Sequence, residues 1–230
     1  MEQNSIYTSI TKKLKIKLIA QPEELSDLEK QNNSNTNSSN VIEYKILIVG
    51  EHLSGKTSFC LRFALNEFNL EIKSSTQTEC YLKSMQLFDK EIKVYLIDVE
   101  VNSLKNPQEE LFRDVKGAII IYDITKIATF EAKEKLIGEI RQKIGNVIPI
   151  ILVGNKNDLK FLRNVDFEEA NEKANSLNCE LREINCIDEE MVHNTMKYLV
   201  AKIFFEDLDD TQKEEIKNKF SNNNVSNAEQ

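Results

Sequence analysis

The apolar run Glu43-Tyr-Lys-Ile-Leu-Ile-Val-Gly50 passes without a break into Gly50-Glu-His-Leu-Ser-Gly-Lys-Thr57, and helical spacing follows from Lys56 to Asn66. A strand that turns directly into a helix through two glycines confines the chain to an α/β arrangement. In such a turn the backbone N–H groups and the helix N-terminus point at one spot, where they suit phosphate oxygens. His52, Leu53, Ser54 and Gly55 of the GxxxxGK[ST] pattern, with Ser58 directly after it, are candidate nucleotide-binding residues. Lys56 reaches for outer phosphates, and Thr57 offers a hydroxyl to Mg²⁺. Two glycines between a strand and a helix also arise for structural reasons alone, so the pattern needs a second one beside it.

That second pattern is Asn155-Lys-Asn-Asp158, directly after Val147-Ile-Pro-Ile-Ile-Leu-Val-Gly154. It therefore falls at the C-terminal end of a strand, where open α/β sheets bind ligands. A carboxylate at Asp158 accepts from guanine N1–H and the 2-amino group, whereas adenine has an acceptor at N1 and no 2-amino donor. Lys156 can lay its stem along a base, and Asn155 can tie this loop to the glycine loop. A solvated turn after a strand is the bland reading of the same residues; the two motifs in one chain argue against it.

Apolar runs and helical patterns alternate from residue 41 to 205. The strands are EYKILIVG, YLKSMQLF, IKVYLID, GAIIIYD, VIPIILVG and CELREI; the helices run from Lys56 to Asn66, Phe130 to Ile144, Phe167 to Leu177 and Glu189 to Phe204. This is a βαβ signature, with several strands apolar on both faces. Val192, Met196, Leu199 and Ile203 form a core stripe on the last helix. Residues 1–40, ending in the uncharged QNNSNTNSSN, read as a low-complexity, disordered extension. Its KKLKIKL stretch fits both strand and helix periods and stays unassigned. Residues 206–230 form an acidic, Asn-rich tail that holds a net −4 of the chain's formal −8.

That negative balance argues against a nucleic-acid partner. Cys60, Cys80, Cys179 and Cys186 lie in apolar segments without CxxC spacing, as reduced packing residues do. No apolar run approaches the roughly 18 residues of a membrane span. A cytoplasmic location is expected.

These motifs resemble the Ras-like small GTPases, nearest the Rab and Ras branches. YKILIVGEHLSGKTSFCLRF, IIIYDITKIATFE and PIILVGNKNDL carry the likeness over residues 43–205. The resemblance implies a P-loop G domain: a mostly parallel six-stranded sheet with one antiparallel strand and helices on both faces. It implies GTP or GDP and Mg²⁺ as ligands, protein effectors or regulators as partners, and a signalling or vesicle-trafficking role. It places Phe68 where an aromatic stacks on guanine, and Asn185, Cys186 and Ile187 in the third base-contacting loop. Thr57, Ser75 and Asp98 fall at the Mg²⁺ positions, with Thr76 an alternative to Ser75.

The sequence departs from the family after Asp98, where Asp98-Val-Glu-Val-Asn102 replaces Asp-Thr-Ala-Gly-Gln. Val101 stands for the glycine whose N–H meets the γ-phosphate, and valine is stiff where glycine is free. Asn102 stands for the water-orienting glutamine and is one methylene short. His52 and Leu53 replace small residues beside the outer phosphate. Slow or partner-dependent GTP hydrolysis is therefore expected, with an ordinary cycling GTPase and a nucleotide-free interaction module as the alternatives. The last residues, Asn227 to Gln230, offer no prenylation cysteine, and Met-Glu-Gln no myristoylation site, so membrane association is expected to be weak or through partners.

Overall fold

The computed structural model describes residues 6, 14, 16–33, 41–70, 77–87, 89–99, 104, 109–145, 148–214 and 216. In chain order the elements are β1 (Lys17–Ile19), α1 (Pro22–Asn33), β2 (Ile42–Val49), α2 (Lys56–Leu65), β3 (Glu79–Leu87), β4 (Lys90–Asp98) and α3 (Glu109–Phe112). There follow β5 (Val115–Asp123), α4 (Ile127–Glu131), α5 (Lys133–Ile144), β6 (Ile150–Asn155), a 3₁₀ turn (Asn157–Leu162), α6 (Phe167–Ser176), β7 (Glu180–Glu183) and α7 (Glu189–Asp207).

Seven strands form one sheet in the order β1-β3-β4-β2-β5-β6-β7. Among the described residues, only the β3–β4 hairpin is antiparallel; every other pairing is parallel. The inner parallel strands β2, β5 and β6 carry continuous apolar runs because both faces are covered. Side chains alternate between the faces as the pleat requires. Leu47, Val49, Ala118, Ile120 and Leu152 join the core beneath α3 to α6, while Ile46, Ile48, Ile119, Ile121 and Val153 join the core beneath α2 and α7. The predicted stripe Val192, Met196, Leu199 and Ile203 is buried in that second core. Each such side chain contributes roughly 1.5–3 kcal/mol, and a charge at Met196 would disrupt the packing of α7.

The six expected strands are present and so are the expected helices, the one from Phe130 to Ile144 being divided at Ala132 between α4 and α5. The seventh strand is the correction: residues 16–33, read as part of a disordered extension, form β1 and α1 against the β3 edge. The physical reason is tertiary. A three-residue strand has no stability of its own, but Leu18 and Ile19 pack against opposite cores and Leu28 of α1 is buried. At the other end, helix α7 runs two residues into the stretch read as tail. Among the described residues, no helix is long and apolar enough to cross a membrane.

The register brings the chemistry to one edge. Ile48 pairs with Asp98 and Asp123 with Asn155, so the C-terminal ends of β2, β4, β5 and β6 lie side by side. Lys45, buried in β2, donates to the carbonyls of Glu110 at 2.9 Å and Arg113 at 3.2 Å. It thereby anchors the C-terminal end of α3 to the sheet.

Candidate functional site

The loop from Gly50 to Gly55 closes on itself before α2 begins. A Cβ at Gly50 would collide with the Ile121 carbonyl oxygen, and one at Gly55, whose φ is +103°, with the Asn155 side-chain amide. Both positions therefore demand glycine. Leu53 also has positive φ, at 63°, as does Lys156 in the facing loop, at 68°. Two non-glycine residues in the left-handed region, facing one another, mark strain of about 1–3 kcal/mol each.

Helix α2 starts with no side-chain cap and no acidic residue in its first turn. Its leading N–H groups thus have no side-chain acceptor, and the positive end of the helix is not neutralised. This arrangement accepts an anion. Lys56 Nζ folds over the same loop, donating to Gly50 O at 2.8 Å and Glu51 O at 3.1 Å.

The second motif is fastened to the first. Asn155 Nδ2 donates to Ser54 O at 2.9 Å and Lys156 Nζ to Leu53 O at 3.2 Å. Between the loops lies a cavity of about 400 Å³, lined among others by Lys56, Thr57, Phe68, Asp158, Cys186 and Ile187. The exposed Asp158 carboxylate and the half-buried Phe68 ring give it a polar acceptor and an aromatic wall. The Arg62 guanidinium lies 5.5 Å from the Phe68 ring centroid and donates through Nε to Cys186 O at 3.1 Å, joining α2 to the third loop.

Leu53, Gly55, Lys56, Thr57, Ser58 and Phe68 of the sequence-selected residues line this cavity, as do Asn155, Lys156, Asp158, Cys186 and Ile187. His52, Ser54, Asp98 and Asn185 do not. Ser54 is buried beneath the loop, and its Oγ has no hydrogen-bond partner. The Asn185 side chain accepts from Asp188 N at 2.8 Å in its own loop and donates through Nδ2 to Asn157 Oδ1 at 3.4 Å in the second motif. Ser75, Thr76, Val101 and Asn102 lie outside the described residues.

Thr57 Oγ1 donates to Asp98 Oδ2 at 2.6 Å. Burial pushes the Asp98 carboxyl up, against the Thr57 bond and the Lys56 charge that pull it down. A desolvated carboxylate beside a hydroxyl suits a hard cation such as Mg²⁺. Among the described residues no three His, Cys, Asp or Glu side chains form a metal cage. A cation held at Thr57 and Asp98 would therefore take its remaining oxygens from ligand and water, as Mg²⁺ does beside phosphates.

Two contributors escaped sequence reasoning. Asp123, at the end of β5, accepts from Lys156 Nζ at 2.6 Å, from Thr125 Oγ1 at 2.7 Å and from Thr125 N at 2.9 Å. Burial pushes its carboxyl up, but these bonds outweigh it, and the net shift is downward. The pair holds Lys156 along the cavity wall. The second is the Cys186 side chain. Burial pushes its thiol up to about 12, so it stays protonated and donates to Asn155 Oδ1 at 3.3 Å. That bond fixes which end of the Asn155 amide faces Ser54.

Comparison with known proteins agrees with this geometry. A profile of the Ras family matches residues 45–205. The Ras-related protein Rab-11A of Dictyostelium discoideum is 33% identical over 162 residues, covering 70% of this chain and 76% of its own. The Ras-related protein Rab11B of Nicotiana tabacum is 33% identical over 70% of this chain and 75% of its own. The GTP-binding protein ypt3 of Schizosaccharomyces pombe is 33% identical over 70% of this chain and 76% of its own.

Proposed function

The chain belongs to the Ras family, and from that premise we propose that it binds GDP and GTP with Mg²⁺ and acts as a switch or adaptor in signalling or vesicle trafficking. One observation carries the reading. The uncapped start of α2 and the Asp158 loop, about a hundred residues apart in sequence, are fastened by Asn155 and Lys156 around a single cavity. One end of that cavity suits phosphates and the other a base with two adjacent donors.

In this reading the start of α2 and Lys56 bind the phosphates, and Thr57 and Asp98 hold Mg²⁺, which neutralises phosphate charge. Phe68 stacks on the base and Asp158 selects guanine. The Cys186 backbone N–H faces the guanine carbonyl, and Asn155, Lys156 and Asp123 keep the two loops in register. His52 and Ser54 serve as loop structure, and Asn185 positions the third loop. Hydrolysis is slow or needs a partner, because Asn102 is too short to place the attacking water as a glutamine would. Protein effectors and regulators are the expected partners.

Thermal melting with nucleotide tests binding. GDP with Mg²⁺ at 100 times Kd stabilises by about 2.7 kcal/mol, while ADP leaves Tm in place. Equal shifts with both nucleotides would refute the role of Asp158, and no shift with either would favour an interaction module that needs no nucleotide. Asp158→Ala should erase the guanine preference. The nucleotide carried by freshly purified protein then reads hydrolysis: GTP supports slow turnover, and GDP supports ordinary cycling.

A further inference from the structure

The segment 16–33 grips the rest of the molecule at points that flank one wall of the cavity. Lys17–Ile19 pair with Glu79–Tyr81, the first three residues of β3. Gln21 Nε2 donates to Leu65 O at 3.1 Å, on the last residue of α2. Glu24 Oε1 accepts from Ser84 N at 2.7 Å, three residues past the ladder on the same edge strand. Leu28 fixes α1 against the core. Helix α2 ends at Leu65 and β3 begins at Glu79; between them Phe68, Asn69 and Leu70 line the cavity. One short segment therefore restrains the chain both before and after this rim.

We propose that residues 16–33 are an internal brace of the cavity rim: bound to Leu65 and to the β3 edge they retain the occupant, and detached they let it escape faster. The proposal deepens the guanine-nucleotide reading and rests on it for the identity of the occupant. Apart from Phe68, which packs partly buried against the core beneath α2 and α7, the described rim has little other support from apolar packing. Leu70 is 87% exposed, and Phe68 is only partly buried. The brace itself is built to be reversible. Its ladder is three residues long, and Leu28 is the one apolar side chain of α1 that is fully buried among those described. Glu24 Oε2 is buried without a hydrogen-bond partner, which makes the docked state costly. Burial accordingly pushes the Glu24 carboxyl up. Segments with few buried contacts open locally while the remainder stays folded.

The test uses the full chain carrying Gln21→Ala and Glu24→Ala together, which removes both side-chain ties and leaves the β1 ladder residues intact. Amide hydrogen exchange should rise at Ser84 and at Glu67 to Leu70, while the amides of β5 and β6 keep their protection. Release of fluorescently labelled GDP, chased with unlabelled GDP in Mg²⁺, should accelerate about fivefold or more. Faster exchange at Ser84 alone, with unchanged rim amides and unchanged release, would overturn the brace. If the wild-type chain binds no labelled GDP, the nucleotide reading fails separately. The brace is then judged by the rim amides, whose unchanged exchange rates would sink it too. Leu28→Ser, which weakens the same docking one turn further along α1, should reproduce the rim effect if the double variant acts through detachment.

Discussion

Helices α2, α6 and α7 begin in opposite ways. Asp166 caps α6 by accepting from Glu169 N at 3.0 Å, and Glu168 and Glu169 fill its first turn. Asp188 caps α7 by accepting from Met191 N at 3.1 Å, with Glu189 and Glu190 behind it. Those two helices neutralise their own positive ends. Helix α2 has Gly55 where they have aspartate, and no acid in its first turn. The chain can cap its helices, yet α2, like α4 and α5, starts without a side-chain cap, and α2 does so at the cavity. An omitted cap forgoes about 1 kcal/mol, so the difference separates a helix built for stability from one built to receive an anion.

The largest effect should come from converting one kind of start into the other. Ser58 holds in α2 the position that Glu169 holds in α6, three residues past the cap. Ser58→Glu gives α2 an acidic first turn. The carboxylate would compete for the helix N–H groups and repel phosphate, lowering GDP affinity on the order of a hundredfold or more. Without nucleotide the variant should melt no lower than the parent. Titration with labelled GDP and a melt of the nucleotide-free protein check both halves. Undiminished affinity would mean that the open start of α2 is not where phosphates bind.

The reverse substitution sharpens the contrast from the other side, with a smaller effect. Asp166→Ala uncaps α6, and should cost about 1 kcal/mol of stability while leaving GDP affinity unchanged. Urea unfolding and the same titration measure the two quantities. A drop in affinity would couple α6 to the cavity, which its position beyond the 3₁₀ turn gives no reason to expect.

The sequence already separated these helix starts, since glycine, lysine and threonine stand at one and aspartate and glutamate at the others. The strands of residues 41–205 were legible for a similar local reason: runs such as GAIIIYD are apolar on both faces and have one structural solution. β1 was not legible, because KKLKIKL satisfies two periods and only its partner on β3 decides between them. The lysine alternation with Leu14, Ile16 and Leu18 was the strand signal, and its short length hid it. Within the site, Asp158 and Lys56 were legible from motif spacing. Asp123 was not, because its role depends on the register that places it opposite Asn155. The orientation of Asn185 away from the cavity likewise depends on its own loop closing through Asp188.

The smallest effect concerns the part of the site that, unlike the start of α2, satisfies itself. Lys156 and Asp123 meet at 2.6 Å, with the carboxylate almost fully buried and the lysine one-third exposed. The Asp123 carboxyl is held below its ordinary value. A depressed carboxyl stabilises the fold above its unfolded pKa of about 3.9, and that contribution is lost as pH falls through the lower, folded value. Asp123→Asn has no such proton to lose. The urea-midpoint gap between wild type and Asp123→Asn should hold steady from pH 7 to pH 5, then narrow below about pH 4. Lys156 is open to solvent on one side, so screening keeps the charge-dependent part of the gap modest. A gap that persists unchanged into strong acid would mean that neither Lys156 nor Thr125 favours the Asp123 carboxylate over its protonated form, and Asp123 would then shape the end of β5 without holding Lys156 by charge.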